Sequence, residues 1–175
     1  DGIVVNGQTY SANSIFGSGT LLGTGNFVVF NGAGSSTTLT SLTANTVYHF
    51  KLIEFNVTAG SESYGSSVTV NKITTTVATT ALAATAFDQT VFNANWTAVT
   101  GSTDYLLDVS TDNFVSFVSG FNNQLVTELT KQVTGLTSGT TYQYRVRASN
   151  TSGTSANSNV ISALTISATP SPTST

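Results

Sequence analysis

Three carboxylates that recur every four residues form the densest candidate chemistry in the chain. Asp104, Asp108 and Asp112 carry the oxygen ligands that Ca²⁺ prefers. The surrounding residues predict a strand, and a step of four residues along a strand is about 13 Å, too long for one ion. We therefore expect no shared metal site. Asp104 and Asp108 are instead predicted to form exposed ion pairs with Arg145 and Arg147 on a neighbouring strand.

Other reactive side chains are scarce. His49 is the only histidine, and cysteine is absent from the 175 residues. Because His49 alternates with Tyr48 and Phe50, its side chain is predicted to point outward, far in sequence from any Ser and Asp that could complete a triad. Nucleophilic catalysis and transition-metal binding both need more of these side chains. We therefore predict a protein that is not an enzyme, with no catalytic residue, no cofactor and no metal.

Three phenylalanines are candidates for carbohydrate binding. Phe114, Phe117 and Phe121 could form an aromatic platform, since an exposed ring stacks on the apolar face of a sugar. Large aromatic side chains are more often buried, so packing at the rim of a domain is the favoured interpretation. Sugar binding remains the alternative.

Two further features could mark surface sites. Sequons of the form Asn-x-Ser/Thr begin at Asn56, Asn95 and Asn150, but such triplets arise by chance in threonine-rich strands. The predicted loop 150–157 occupies a position that often carries binding motifs, yet no Arg-Gly-Asp triplet is present in it. We assign no site to either feature.

A bend followed by a strand occurs twice and organises the chain. Leu136 is followed six residues later by Tyr142, after which apolar and polar residues alternate as far as Ser149. Leu42 and Tyr48 repeat this arrangement 94 residues earlier. Such a spacing suits a tyrosine corner, in which the ring enters the core and the hydroxyl reaches back to the upstream backbone. A repeat of this length predicts two sandwich domains that each bury their own core.

The residues around both bends resemble fibronectin type III domains. Residues 1–64 are similar to a variant found in tandem in large secreted and surface proteins of Bacteroidota, through the motif Thr9-Tyr10-Ser11-Ala12-Asn13 and the stretches 16–20 and 23–30. In that variant, three strands precede these motifs. The resemblance implies an all-β fold of two tandem immunoglobulin-like (fibronectin type III) β-sandwiches, the first lacking its N-terminal strands and exposing apolar faces and unpaired edges.

Two domains and a tail are predicted. A truncated fibronectin type III-like domain covers 1–77, a complete fibronectin type III domain covers 78–166, and 167–175 is a Pro/Ser/Thr linker or the start of a further domain. Trp96 is expected in the second core, beside Phe92, Val91 and Tyr105. The strands predicted in the first domain are 3–5, 27–30, 36–42, 47–56 and 67–75. Those predicted in the second are 81–87, 90–96, 104–110, 114–118, 127–133, 141–150 and 158–165.

Composition excludes two classes of partner. The formal net charge is −3 and the five Lys and Arg residues are scattered, so no basic stripe exists to neutralise the phosphates of nucleic acid. The sequence also contains no apolar run of about 18 residues, so membrane insertion is not expected. The chain lacks Met and begins at Asp1, which favours an excised piece of a longer protein.

These observations predict a structural role. The favoured function is a non-catalytic spacer, stalk or adhesion module of a larger bacterial secreted or cell-surface protein. One alternative is a pair of accessory domains of a secreted polysaccharide-degrading enzyme, and another is a subunit of a self-assembling extracellular fibre completed by β-strand addition. The expected location is extracellular, at the cell surface. The expected partners are a protein or polysaccharide there, or a second copy bound through exposed strand edges of the first domain.

Overall fold

The computed structural model describes residues 2–168, and the chain divides into two compact units, Asp1–Thr74 (unit 1) and Thr75–Thr175 (unit 2). Residues 169–175 of the predicted tail lie outside the described residues. All regular secondary structure in the described part of the chain is β-strand, so the predicted all-β class is confirmed. A sequence rich in threonine and aromatic residues with only 7% charged side chains favours strands over helices.

The strands of the two units differ in length and number. Unit 1 contains β1 (Val47–Thr58) and β2 (Ser61–Ile73). Unit 2 contains β3 (Ala81–Thr85), β4 (Phe92–Trp96), β5 (Asp104–Ser110), β6 (Gln124–Val126), β7 (Thr130–Val133), β8 (Thr141–Asn150), β9 (Gly153–Thr154) and β10 (Ile161–Leu164). The predicted strands 104–110 and 141–150 are confirmed to the residue as β5 and β8.

Unit 2 is a two-layer sandwich. One sheet has the strand order β3-β4-β7, and the other has the order β10-β8-β5-β6 with β9 paired to β8. All of these pairs are antiparallel. From Tyr142 onward, residues of β8 alternate between fully and partly buried, because one face of the strand packs inside the sandwich and the other is partly exposed. The predicted immunoglobulin-like sandwich is therefore present in unit 2.

Aromatic side chains fill the core of this sandwich. Trp96 is 2% exposed and lies 5.8 Å from Tyr105, measured between ring centroids. Phe92 stacks on Tyr144 at 6.0 Å, and both rings are fully buried. Truncating a buried ring of this size costs about 3–5 kcal/mol. The predicted burial of Trp96, Phe92 and Tyr105 is confirmed, whereas Val91 is only half-buried.

The strand predicted at 114–118 is wrong, because this segment is a series of turns. Asn113 and Phe114 both have positive φ, at 57° and 66°, which a strand does not use. The Asp112 carboxylate holds the turn by accepting hydrogen bonds from the Ser116 N–H at 2.9 Å and from the Ser116 hydroxyl. The short strand next to β5 is instead β6, ten residues further along the chain.

Both tyrosine bends are confirmed. The Tyr142 hydroxyl accepts a hydrogen bond from the Thr137 N–H at 2.9 Å, and the Tyr48 hydroxyl accepts one from the Thr43 N–H at 2.8 Å. The backbone repeats as well. Gly135 and Gly139 have φ of 72° and 62°, and Ser41 and Asn45, which stand 94 residues earlier, have φ of 60° and 48°. The two bends therefore share a left-handed backbone at equivalent positions, even where the first bend has no glycine.

Unit 1 contains one long hairpin. Strands β1 and β2 pair from Val47 opposite Ile73 to Thr58 opposite Ser61. Ala59 and Gly60 form the two-residue turn, with φ of 52° and 83°, the signs required by a type I′ turn. By the 94-residue repeat, β1 corresponds to β8, and β2 takes the place beside it that β10 takes beside β8.

The strands predicted at 3–5, 27–30 and 36–42 are wrong. These segments are irregular and carry only isolated bridges, Ile15 with Thr40 and Leu21 with Phe27. Glycines with positive φ at positions 7, 17, 23 and 25 reverse the chain every few residues, so no ladder extends beyond one pair. Within the described residues, the hairpin is thus the only regular sheet of unit 1.

Replacing Tyr142 with Phe should destabilise unit 2 by about 1 kcal/mol, because the Thr137 N–H loses its acceptor while the ring still fills the core. Trp96 is the only tryptophan in the sequence, so its fluorescence during urea unfolding reports on unit 2 alone. The control is Thr137→Ala, which keeps the backbone donor. Equal unfolding midpoints for Tyr142→Phe and the unaltered protein would exclude this role for the hydroxyl.

Candidate functional site

A buried carboxylate is the centre of a polar site in unit 2. Asp108 lies opposite Arg145 in the pairing of β5 with β8 and is 1% exposed. Its Oδ2 accepts hydrogen bonds from Arg145 Nε at 3.1 Å and from Arg147 Nη2 at 3.2 Å. Its Oδ1 accepts one from the Asn123 N–H at 2.8 Å. One carboxylate thus binds donors from β8 and from the loop before β6.

The ion pairs differ from the sequence prediction in two respects. Asp108 pairs with both arginines as expected, but it is buried rather than exposed. The predicted pairing of Asp104 is wrong: it lies opposite Ser149 and accepts a hydrogen bond from the Thr103 hydroxyl at 2.9 Å. The register explains this, because Arg147 lies between the two aspartates and turns toward Asp108.

Asn123 is the residue that sequence reasoning missed. Its backbone has a φ of 54°, which directs its N–H at Asp108, and its side-chain oxygen accepts a hydrogen bond from Arg147 Nη2. The available signal was a pair of asparagines directly before an apolar strand, a pattern that favours a left-handed turn. The loop covers Asp108 and converts a surface pair into a buried one.

Asp112 stabilises the next loop. Besides the Ser116 donors, its carboxylate accepts a hydrogen bond from the Ser110 hydroxyl at 2.7 Å. These hydrogen bonds, those from Ser116 first, lower the pKa of Asp112 from 3.8 to about 2. Asp104, Asp108 and Asp112 therefore act in three separate local networks. Across residues 2–168, no group of three or more His, Asp or Glu side chains is arranged to hold a metal ion.

The three phenylalanines do not form one platform. Phe121 is buried in the core, which confirms packing for this ring. Phe114 is half-buried, and the Arg145 guanidinium carbon lies 4.1 Å from its ring centroid, a cation–π contact that occupies one ring face. Phe117 is half-buried in the same loop. Sugar binding by Phe114 and Phe117 stays the alternative to packing.

His49 is exposed, and its Nδ1 lies 2.6 Å from Asn71 Oδ1 on the neighbouring strand. Its predicted outward orientation is confirmed.

The sequons differ in exposure: Asn56 is exposed and Asn150 is buried, whereas the Asn95 amide donates hydrogen bonds to the Ala83 carbonyl at 3.0 Å and the Thr85 hydroxyl at 3.1 Å. No membrane-spanning helix is found among the described residues.

Unit 1 has its own polar contact and an open groove. Burial and the neighbouring Glu62 carboxylate raise the pKa of Tyr64 to about 12, and the Tyr64 hydroxyl also lies 2.9 Å from the Gln8 carbonyl. Beside the hairpin, an open groove of about 990 Å³ is lined by Tyr48, Phe16 and Phe27 among others. Phe16 packs against Tyr48 and Phe27 with centroids 5.0 Å and 5.3 Å apart.

Comparisons with known proteins give structural neighbours. No family model and no curated protein matches the chain. The chain is similar to the crystal structure of FN3tt at 21% identity, with 52% of this chain and 91% of that chain covered and a TM-score of 0.41. It is similar to the sixth fibronectin type III domain of human fibronectin type III domain containing protein 3 at 20% identity, with 55% and 91% covered and a TM-score of 0.44.

A third neighbour is a β-1,2-glucanase from Parabacteroides distasonis. The identity is 15%, the match covers 62% of this chain and 16% of that chain, and the TM-score is 0.46. The first two neighbours are fibronectin type III domains. The strand order and the core of unit 2 define its sandwich fold.

Replacing Asp108 with Asn should destabilise unit 2 by about 2 kcal/mol, because both guanidinium groups lose a charged acceptor. The effect is expected below the roughly 3–5 kcal/mol of a fully buried pair, since the arginine side chains are 25% and 22% exposed. Urea unfolding followed by Trp96 fluorescence measures it. The matched control is Asp104→Asn on the same strand, for which a change within about 0.5 kcal/mol is expected. Equal losses in the two variants would contradict a special role for Asp108.

Proposed function

We propose that this chain is a non-catalytic structural module that acts as a spacer or adhesion segment of a larger bacterial secreted or cell-surface protein. The observation that carries the proposal is a set of hydrogen bonds in unit 2. These bonds hold the start of the first strand and the segment after the last strand to the rest of the sandwich. The bacterial and extracellular setting draws its support from the resemblance of residues 1–64.

One fastening joins β3 to the segment before β10. The side-chain amide of Asn159 binds both backbone groups of Ala81: Oδ1 accepts from the Ala81 N–H at 2.9 Å, and Nδ2 donates to the Ala81 carbonyl at 3.0 Å. A few residues earlier, the Thr79 hydroxyl donates to the Thr97 carbonyl at 2.7 Å. The start of the first strand is therefore held by side-chain hydrogen bonds to two other segments, at Asn159 and at Thr97.

A second fastening holds the segment after β10. Thr165 is 1% exposed, and its hydroxyl donates to the Thr137 carbonyl at 2.7 Å and accepts from the Thr140 N–H at 3.0 Å. Its backbone N–H donates to the Thr140 carbonyl at 3.1 Å. Because these bonds act in parallel, tension on the ends of unit 2 must break several at once, which suits a module that transmits force.

The reactive side chains of unit 2 also stabilise the sandwich. Asp108, Arg145 and Arg147 hold β5 against β8, and the tyrosine hydroxyl of Tyr142 closes the bend before β8. These groups make internal contacts that stabilise the sandwich. An accessory role beside a polysaccharide-degrading enzyme stays a second prediction, which the half-buried Phe114 and Phe117 leave open.

Single-molecule stretching of the chain tests the proposal. Unit 2 should unfold in one discrete event, with a gain in contour length on the order of 30 nm. Asn159→Ala should lower the unfolding force because it removes both bonds to Ala81. The matched control is Asn157→Ala, an exposed asparagine in the same loop, which should leave the force unchanged. Gradual extension without a discrete event, or equal forces for the two variants, would contradict a force-transmitting spacer.

A further inference from the structure

Strand β1 has a partner along one edge, whereas its equivalent β8 has partners along both. The 94-residue repeat aligns Tyr48 with Tyr142, and both tyrosines close the same bend. Strand β8 lies between β10 and β5, and its pairing with β5 runs from Asp104 opposite Ser149 to Ser110 opposite Gln143. In the part of the chain that the structure describes, strand β1 pairs with β2 only.

The unpaired edge of β1 is the one that β5 occupies in unit 2. The Thr74 N–H donates to the Thr46 carbonyl, so by the alternation of an antiparallel ladder the peptide groups of His49, Lys51 and Ile53 point away from β2. Their equivalents, 94 residues on, are Gln143, Arg145 and Arg147, which lie opposite Ser110, Asp108 and Leu106 of β5. Within residues 2–168, no backbone hydrogen bond from outside the hairpin reaches His49, Lys51 or Ile53.

The apolar face beside this edge is also exposed at Leu52 and Val68. Val146 of β8 is 0% exposed because the facing sheet packs on it, whereas its equivalent Leu52 is 71% exposed. Val68, which lies opposite Leu52 on β2, is 62% exposed. The groove lined by Phe16, Phe27 and Tyr48 continues along this hairpin. An occupant of the β1 edge would therefore also find apolar side chains to bury.

Unit 1 protects the other edge of the hairpin. The Gly7 N–H donates to the Glu62 carbonyl at 2.8 Å, and the Tyr64 N–H donates to Asn6 Oδ1 at 2.9 Å, so residues 6–8 cover the start of β2. The edge strands β6 and β10 of unit 2 are only three and four residues long. Strand β1 is 12 residues long, and no residue from 2 to 168 covers its outer edge with a backbone hydrogen bond.

We propose that the free edge of β1 binds an extended segment of a partner polypeptide, which adds to the hairpin as an antiparallel strand. Strand β5 shows the chemistry that such a segment needs. Apolar residues at alternate positions would face the groove, as Tyr105, Leu107 and Val109 face the core of unit 2. A carboxylate would lie opposite Lys51, as Asp108 lies opposite Arg145.

A second copy of β1 fits this edge less well. Symmetric antiparallel pairing centred on Lys51 would place two lysines opposite each other, which destabilises a strand pair. The inference gives the adhesion part of the proposed function its partner. The peptide-binding experiment below tests unit 1, whereas the stretching experiment tests unit 2. A negative result in one experiment therefore does not contradict the proposal that the other one tests.

A peptide with the sequence of residues 103–111, Thr-Asp-Tyr-Leu-Leu-Asp-Val-Ser-Thr, is the probe. Fluorescence anisotropy of the labelled peptide should show saturable binding to the whole chain. Lys51→Glu should weaken binding about 5-fold, because two like charges would then oppose each other at a cost of up to about 1 kcal/mol. Lys72→Glu on β2 is the matched control, with the same charge change away from the edge, and should leave binding unchanged.

Methylated peptides separate strand addition from unspecific apolar contact. In β5, the amides of Leu106 and Asp108 face β8, whereas the Val109 N–H faces the other way, toward the Phe121 carbonyl. N-methylation at Leu106 and Asp108 should weaken binding at least 10-fold, and N-methylation at Leu107 and Val109 should not.

Three results would overturn the proposal. The first is absence of saturable binding, and the second is equal binding of both methylated peptides. The third is a dimer in light scattering that Lys51→Pro disperses, because proline removes the outward-facing N–H of this edge and a second copy would then be shown to hold it.

Discussion

A long strand in a sandwich must satisfy two demands at once, since both rows of its peptide groups need partners and its apolar face needs cover. Strand β8 meets both demands. It has β10 on one edge and β5 on the other, and its inward side chains are buried under the facing sheet. Strand β1 follows the same bend and has the same alternation, but it has one neighbour. The two units therefore differ, within the described residues, in the number of paired edges of this strand.

The buried charge at Asp108 shows what a neighbour on that edge does for β8. Its carboxylate ties β5 to two arginines of β8 and to the loop before β6. A shift of register by one residue would leave a buried carboxylate without its donors, at a cost of several kcal/mol. The pair therefore specifies how β5 lies on β8. In unit 1 the corresponding cation, Lys51, is exposed and has no such partner among the described side-chain contacts.

Local patterns in the sequence predicted the parts of the fold that depend on neighbours in the chain. The bends at Leu42 and Leu136 and the bounds of β5 and β8 follow from alternation and from a fixed spacing to a tyrosine. The burial of Asp108 was missed because it depends on Asn123, 15 residues away, adopting a left-handed backbone. The turn at 114–118 was missed because a phenylalanine at positive φ is rare, and it is held there by hydrogen bonds to the side chains of Asp112, Ser110 and Gln143. The irregular path of residues 2–46 was missed because short apolar runs resemble strands until glycine turns interrupt every ladder.

Amide hydrogen exchange, resolved by residue with NMR, tests the central claim most directly. If β1 is an equivalent of β8 with one open edge, the amides of Tyr48, Phe50 and Leu52 should be protected while those of His49, Lys51 and Ile53 exchange rapidly. In β8, by contrast, Gln143, Arg145 and Arg147 should be protected as strongly as Tyr142, Tyr144 and Val146. Protection of His49, Lys51 and Ile53 to the level of their equivalents in β8 would contradict the account.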